Sequence, residues 1–197
     1  MATKDLTLKT ERLILRPFEK SDLEEVLGHD SLPDVQRYLD WKARDKSEAK
    51  EVFEQMRKQT RLSRPGEVLT LAIVRASDGK VMGHVSMSFM DATAAQAEIR
   101  FAVGPAYRRQ GYATEAVRAA ITFGFNQFKF HRIYARTAGK NEASARLLRD
   151  LGMRLEAHYR EHALFQGEWD EELHFAILDR EWSRGAKVHE ISRHKVA

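Results

Sequence analysis

The chain has no cysteine among its 197 residues. Disulfides, thiolate metal sites and any covalent acyl-cysteine mechanism are thereby excluded. It also lacks internal repeats, low-complexity linkers and any break in composition, so a single domain over residues 1–182 is expected, large enough to bury a core. No apolar run reaches the roughly 20 residues that cross a bilayer, and "MATKDLTLKT" has no apolar core of a secretory signal. The expectation is a cytoplasmic protein without a membrane partner. A net charge of one sign is nearly missing from the body as well. The formal charge is +4, but residues 183–197, "SRGAKVHEISRHKVA", carry four Lys/Arg against one acid, leaving 29 basic and 28 acidic residues elsewhere. That segment reads as a basic polar tail that aids solubility, with a nucleic-acid arm as the alternative; the neutral body opposes nucleic acid as a partner.

What is present is 43% hydrophobic and 31% charged residues, the balance of an ordinary globular chain. "ERLILRPF" alternates as a strand with Leu13 and Leu15 on one face. "SDLEEVLG" has the S-x-x-E spacing of a capping box at Ser21 and Glu24 and predicts a short helix ending near Gly28. A second helix is expected from Ser47 to about Leu62, with Ala49, Val52, Phe53, Met56 and Thr60 at helical spacing. "VLTLAIVR", a turn at Asp78-Gly79 and "VMGHVSMSFM" predict a hairpin. "AEIRFAV" supplies a further strand, then Ala113, Ala116, Val117, Ala120, Ile121, Gly124 and Phe128 form the stripe of a helix. "HRIYARTA", "NEASARLLRDLGM" and a closing hairpin at "QGEWDE" complete a mixed sheet of about six or seven strands with about four helices.

The segment "VGPAYRRQGYATEA", residues 103–116, joins a strand to that alanine-rich helix through Gly111. Such a turn aims several backbone N–H groups at one point at a helix N-terminus, where they attract phosphate. The segment is neither a P-loop, since Gly111 is followed by Tyr112-Ala113 rather than Lys-Ser/Thr, nor a dinucleotide fingerprint, which needs further glycines. Arg108, Arg109, Gln110, Gly111, Tyr112 and Ala113 resemble the Q/R-x-x-G-x-G/A signature of the GNAT acetyltransferases. "Asn141-Glu142-Ala143-Ser144" with "Leu151-Gly152-Met153" is similar to that family's second motif. "TERLILRPF" and "GEWDEELHFAILDREW" resemble the two ends of its RimJ/RimL-type branch, which includes protein N-terminal alanine acetyltransferases.

The resemblance implies an α/β GNAT fold with a centrally splayed sheet, and acetyl-CoA as co-substrate. The coenzyme would lie on Phe101, Ala102 and Val103 at the strand end, on Arg108, Arg109, Gln110, Gly111, Tyr112, Ala113 and Thr114 in the loop, and on Asn141 and Ser144. The Val103 amide is the candidate oxyanion donor. With no cysteine, direct attack by a primary amine is favoured over an acetyl-enzyme. Glu98, the only acid in "AQAEIRFAVGP", is the candidate base, its alternative a surface glutamate paired with Arg100. Leu148 stands where many relatives have the tyrosine that protonates the thiolate; Ser144 resembles the serine proposed for this role in the RimJ/RimL-type branch, its alternative a helix residue bonding locally to the backbone, and Asn141 reads as helix cap, ligand, or both. The acceptor is a protein N-terminus, with polyamine, amino acid or aminoglycoside-type amines as alternatives; a non-catalytic acyl-CoA-binding module is the rival from another class. Tyr38, Trp41, Phe165 and Trp169 are candidate substrate contacts or packing residues, and Trp182 is read as structural. Homodimers are common in the family. His158 and His162 fall on a segment that alternates like a strand, where four residues span about 13 Å, so no metal is expected.

Overall fold

The computed structural model describes residues 6–30, 46–165 and 168–185. Eight strands form one mixed sheet in the order β1-β2-β3-β4-β5-β6-β8-β7: β1 (Leu8–Lys9), β2 (Leu13–Arg16), β3 (Val68–Arg75), β4 (Val81–Asp91), β5 (Gln96–Val103), β6 (Arg132–Ala138), β7 (Arg154–Phe165) and β8 (Glu168–Leu178). Among the described residues there are five α-helices: α1 (Leu23–Asp30), α2 (Lys46–Lys58), α3 (Tyr112–Phe123), α4 (Glu142–Asp150) and α5 (Asp179–Gly185). All pairings are antiparallel except β5 with β6, whose crossover carries α3.

The extra strand is β1, two residues that pair with β2 through Leu8↔Leu15 and are too short to show a period. Helix α1 continues past Gly28, and its N-terminal contact is not at Ser21. The Asp22 carboxylate accepts from the Glu19 amide at 2.8 Å and from both Arg16 guanidinium nitrogens at 2.7 and 2.9 Å, so a short 3₁₀ turn precedes the helix. Helix α2 stops at Lys58; Thr60 instead forms a bridge with Leu69, because Leu62 turns back into the core. The Asp78-Gly79 hairpin forms as expected.

Two apolar layers hold the sheet. On one face, Leu13, Leu15, Leu71, Ile73, Ile99 and Ile133 pack under α3 and α4 with Val117, Ile121 and Leu148. Each such fully buried side chain contributes about 1.5–3 kcal/mol. Trp182 on α5 closes this layer, its Nε1 donating to Thr122 Oγ1 at 3.1 Å. On the other face, Phe18, Val26, Phe53 and Met56 from the α1/α2 side cover Ala72, Val74 and Val81. Helix α5 carries regular structure to Gly185, beyond the expected domain edge at 182; residues 186–197 of the expected tail lie outside the described residues.

Candidate active site

The turn between β5 and α3 is built on left-handed backbone. Arg109 has φ +60° and Gly111, which precedes the first turn of α3, has φ +81°. At Gly111 a side chain would be strained, and its Cβ would also lie 3.2 Å from Arg12 Nη2. Among the described residues, the amides of Arg109, Gln110, Gly111, Tyr112 and Ala113 make no backbone hydrogen bond. Five donors are therefore gathered at a helix N-terminus, with Arg108, Arg109 and Gln110 exposed around them.

A buttress that sequence reasoning missed holds this turn. Arg12 on the approach to β2 donates from Nε to Glu115 Oε2 at 2.7 Å and from Nη1 to the Gln110 carbonyl at 2.9 Å, and its guanidinium lies 4.6 Å from the Tyr112 ring centre. Thr10 Oγ1 and the Arg12 amide donate to Glu115 Oε1 at 2.6 and 2.9 Å. Burial would raise the Glu115 pKa, but these bonds outweigh it and hold the carboxyl below its ordinary range. Its negative charge is thus matched by Arg12 rather than turned on an incoming phosphate. The Gln110 side chain donates to the Ala106 carbonyl at 3.0 Å. It shapes the loop.

Just before the turn the sheet splits. The parallel β5–β6 ladder has three pairs and ends at Glu98↔Tyr134, although β5 runs on to Val103 and β6 to Ala138. This is the splay expected of the fold. Meanwhile β5 stays paired with β4 as far as Gly83↔Val103. Gly83 has φ +155°, and a Cβ there would collide with the Ala102 carbonyl oxygen, so glycine permits this close approach. The Gly104 amide donates to the Met82 carbonyl at 2.8 Å. By antiparallel alternation, the even-numbered end of β5 bonds to β4, and Phe101 and Val103 direct their N–H and C=O groups into the split. The side chains of Phe101 and Val103 pack against the main core, while Ala102 faces the opposite side.

Across the split stands the start of α4. Asn141 caps it: Oδ1 accepts from the Ser144 amide at 3.1 Å. Both residues are half-buried. Leu148 is 0% exposed and belongs to the core, so a phenol there would point into packed side chains.

Glu98 is not a surface glutamate. It is 2% exposed and bonded by two arginines, Arg136 Nε at 2.8 Å and Arg100 Nη2 at 3.2 Å. Burial raises its pKa, but the bonds from Arg136 and then Arg100 outweigh this and leave it lowered. The carboxylate is ionised at neutral pH and a weak proton acceptor. Arg136 was missed, though it shares the period-two face of Arg132 and Tyr134 and could have been found there. Tyr134 is raised by its burial and by the Glu98 charge, so it stays a phenol.

Tyr38 and Trp41 lie outside the described residues, as does the Phe165 side chain. Trp169 is 57% exposed opposite Leu164 on the β7–β8 hairpin. His158 and His162 lie on β7, as the alternation suggested, and contact different glutamates, Glu171 at 2.6 Å and Glu172 at 3.9 Å.

The sequence model of the acetyltransferase (GNAT) domain matches residues 12–154, which spans β2, the split, the turn and α4. The chain belongs to the GNAT acetyltransferases. It is an acyltransferase of a family that uses acetyl-CoA. GNAT relatives include the uncharacterised N-acetyltransferase YnaD of Bacillus subtilis, 28% identical over 89% of this chain and 99% of that protein. The probable N-acetyltransferase YjcK of the same organism is 30% identical over 87% and 97%. The crystal structure of a GNAT-family acetyltransferase from Bacillus anthracis superposes with a TM-score of 0.78 at 27% identity, covering 89% of this chain and 100% of that one. Some relatives have named acceptors. The spermidine N(1)-acetyltransferase of Escherichia coli is 23% identical over 85% of this chain and 87% of its own length, and the ribosomal protein uS5-alanine N-acetyltransferase of the same species is 28% identical over 43% and 44%.

Proposed function

We propose that the chain transfers an acetyl group from acetyl-CoA directly to the α-amine of a protein N-terminus, in the manner of the RimJ/RimL-type branch. The observation that carries the coenzyme part is the unpaired edge of β5 running straight into the unbonded amides of Arg109–Ala113. Bound acetyl-CoA supplies the activated thioester. Arg109 and the turn's amides hold the pyrophosphate, and the Val103 N–H donates to the carbonyl oxygen that gains charge during attack. Asn141 and the Ser144 hydroxyl face the sulfur side, Ser144 as proton donor to the leaving thiolate.

Glu98 sets the acceptor class. Bound between Arg100 and Arg136, it is ionised but weakly basic, and it takes the amine's proton through a water. A weak base serves an amine that is already partly neutral. An α-amine, with a reference pKa near 8, meets that condition, whereas a lysine or polyamine nitrogen near 10.4 does not. The spermidine acetyltransferase relative keeps a polyamine as the second reading. The test is thiol release from acetyl-CoA against peptides beginning Ala, Ser or Met, spermidine, kanamycin and free amino acids. Turnover confined to the peptides supports the proposal. Faster turnover of spermidine replaces it with the second reading, and coenzyme binding without turnover of any amine points to a binding module.

A further inference from the structure

Four polar side chains are buried among the described residues: Asp22, Thr70, His84 and Glu98. Three are satisfied, Asp22 by Arg16, Thr70 by Gln59 Oε1 at 2.6 Å, and Glu98 by its two arginines. His84, 9% exposed, has no hydrogen-bond partner among the described residues. Its ring lies near that of Phe18, with centroids 6.5 Å apart. An imidazole left unpaired in an interior costs about 1–3 kcal/mol, and an apolar residue would fill the place without that cost.

Its position offers a reason. His84 lies on β4 directly between Ala72 of β3 and Ala102 of β5. Paired residues share a face, so His84 stands on the Glu98–Arg100–Ala102 side of the sheet. Both flanking side chains are single methyl groups. The next rows hold Ser86 beside Arg100 and Ser88 beside Glu98. His84 thus ends a polar row that starts at Glu98, and it lies level with the last residues of β5, beyond the rung where the split opens. Burial lowers its pKa to about 4, so the ring is neutral at physiological pH and keeps one nitrogen lone pair.

We propose that His84 is an acceptor-binding residue: its unprotonated ring nitrogen receives an N–H of the incoming primary amine on the Ala102 face of β5. This deepens the acetyl-transfer reading and rests on it. Glu98 then handles the proton through water, and His84 fixes the direction of the amine. A neutral ring provides direction without a countercharge, which suits an amine that must lose its charge before attack.

The experiment uses the full chain labelled with ¹⁵N and saturated with CoA, titrated with ethylamine as probe, and read at the His84 ring nitrogens and the Ala102 amide. Calorimetry measures CoA binding separately. His84→Leu and His84→Gln are compared with wild type, thermal unfolding checking that each is folded. The expected result is a saturable shift of one His84 ring nitrogen, ethylamine affinity about tenfold weaker in His84→Leu and within about threefold of wild type in His84→Gln, and CoA affinity unchanged in both. Equal ethylamine affinity in wild type and His84→Leu, or a His84 resonance that does not move while CoA binds, overturns the inference and leaves the coenzyme site standing. Failure of wild type to bind CoA defeats the coenzyme reading itself, and the inference falls with it.

Discussion

Replacing Gly111 by valine tests the turn most sharply, because stability and binding should part company. A β-branched residue at φ +81° costs roughly 1–3 kcal/mol of backbone strain. The new Cβ meets only the Arg12 Nη2 end, 3.2 Å away, and that flexible tip can shift by a few tenths of an ångström. Folding should therefore lose about 1–3 kcal/mol, measurable by urea unfolding. The turn can relieve the strain only by rotating the peptides on either side of residue 111. Those peptides carry donors of the phosphate cradle, each worth about 1.5–3 kcal/mol to a charged acceptor. Two misdirected amides remove at least about 3 kcal/mol, more than a hundredfold in Kd for CoA by calorimetry. The control is Arg12→Ala, which should weaken CoA binding less, since it loosens the buttress and leaves glycine in place. Wild-type CoA affinity in a folded Gly111→Val protein would refute the assignment of the loop.

Substitutions at three further positions have expected outcomes. Glu98→Gln should lower turnover more at pH 6.5 than at pH 9, where more amine is neutral; equal loss at both values would make Glu98 a positioning residue only. Its depressed pKa also means that the stability it contributes is present above the ordinary carboxylate range and is lost as pH falls through the lower folded value, so the mutant should show a shallower acid-unfolding curve. His84 titrates near 6.5 when unfolded and at about 4 when folded, so the unfolded chain binds the extra proton between those values. Wild type should lose stability relative to His84→Leu by up to about 1.4 kcal/mol per pH unit as pH falls through that window, and parallel curves would show that the ring is not buried neutral. Leu148→Tyr should destabilise by about 1–3 kcal/mol through overpacking, without raising kcat; a faster, stable variant would show that the thiolate is reached from α4.

Local patterns made much of this fold readable. In the Asp78-Gly79 hairpin, the β5–α3–β6 unit and the Asn141 helix, each strand, turn or helix carries its signal within its own residues. The motif at Arg108–Ala113, with its resemblance to the family signature, points to a phosphate cradle, and the split beside it follows from the same resemblance. The missing parts are long-range. Arg12 and Glu115 meet across a separation of 103 residues, and Arg136 reaches Glu98 across 38, distances over which periodicity says nothing. Glu98 therefore read as a candidate base or a surface glutamate paired with Arg100, when it is buried and bonded by both Arg100 and the distant Arg136. Ser21 looked like a cap because of its spacing to Glu24, but Arg16 fixed Asp22 and moved the helix start. His84 gave no signal at all: in an alternating strand an inward histidine looks like any core position until it is seen to lack a hydrogen-bond partner among the described residues.

The most direct measurement is an amide NMR titration of the full chain with CoA. The account predicts that the Arg109–Ala113 amides and the Val103 amide shift together and saturate at one affinity, while residues under α1 and α2 hardly move. Shifts centred elsewhere, with Gly111 and Val103 unmoved at saturation, would contradict the claim that the split strand and its turn hold the coenzyme.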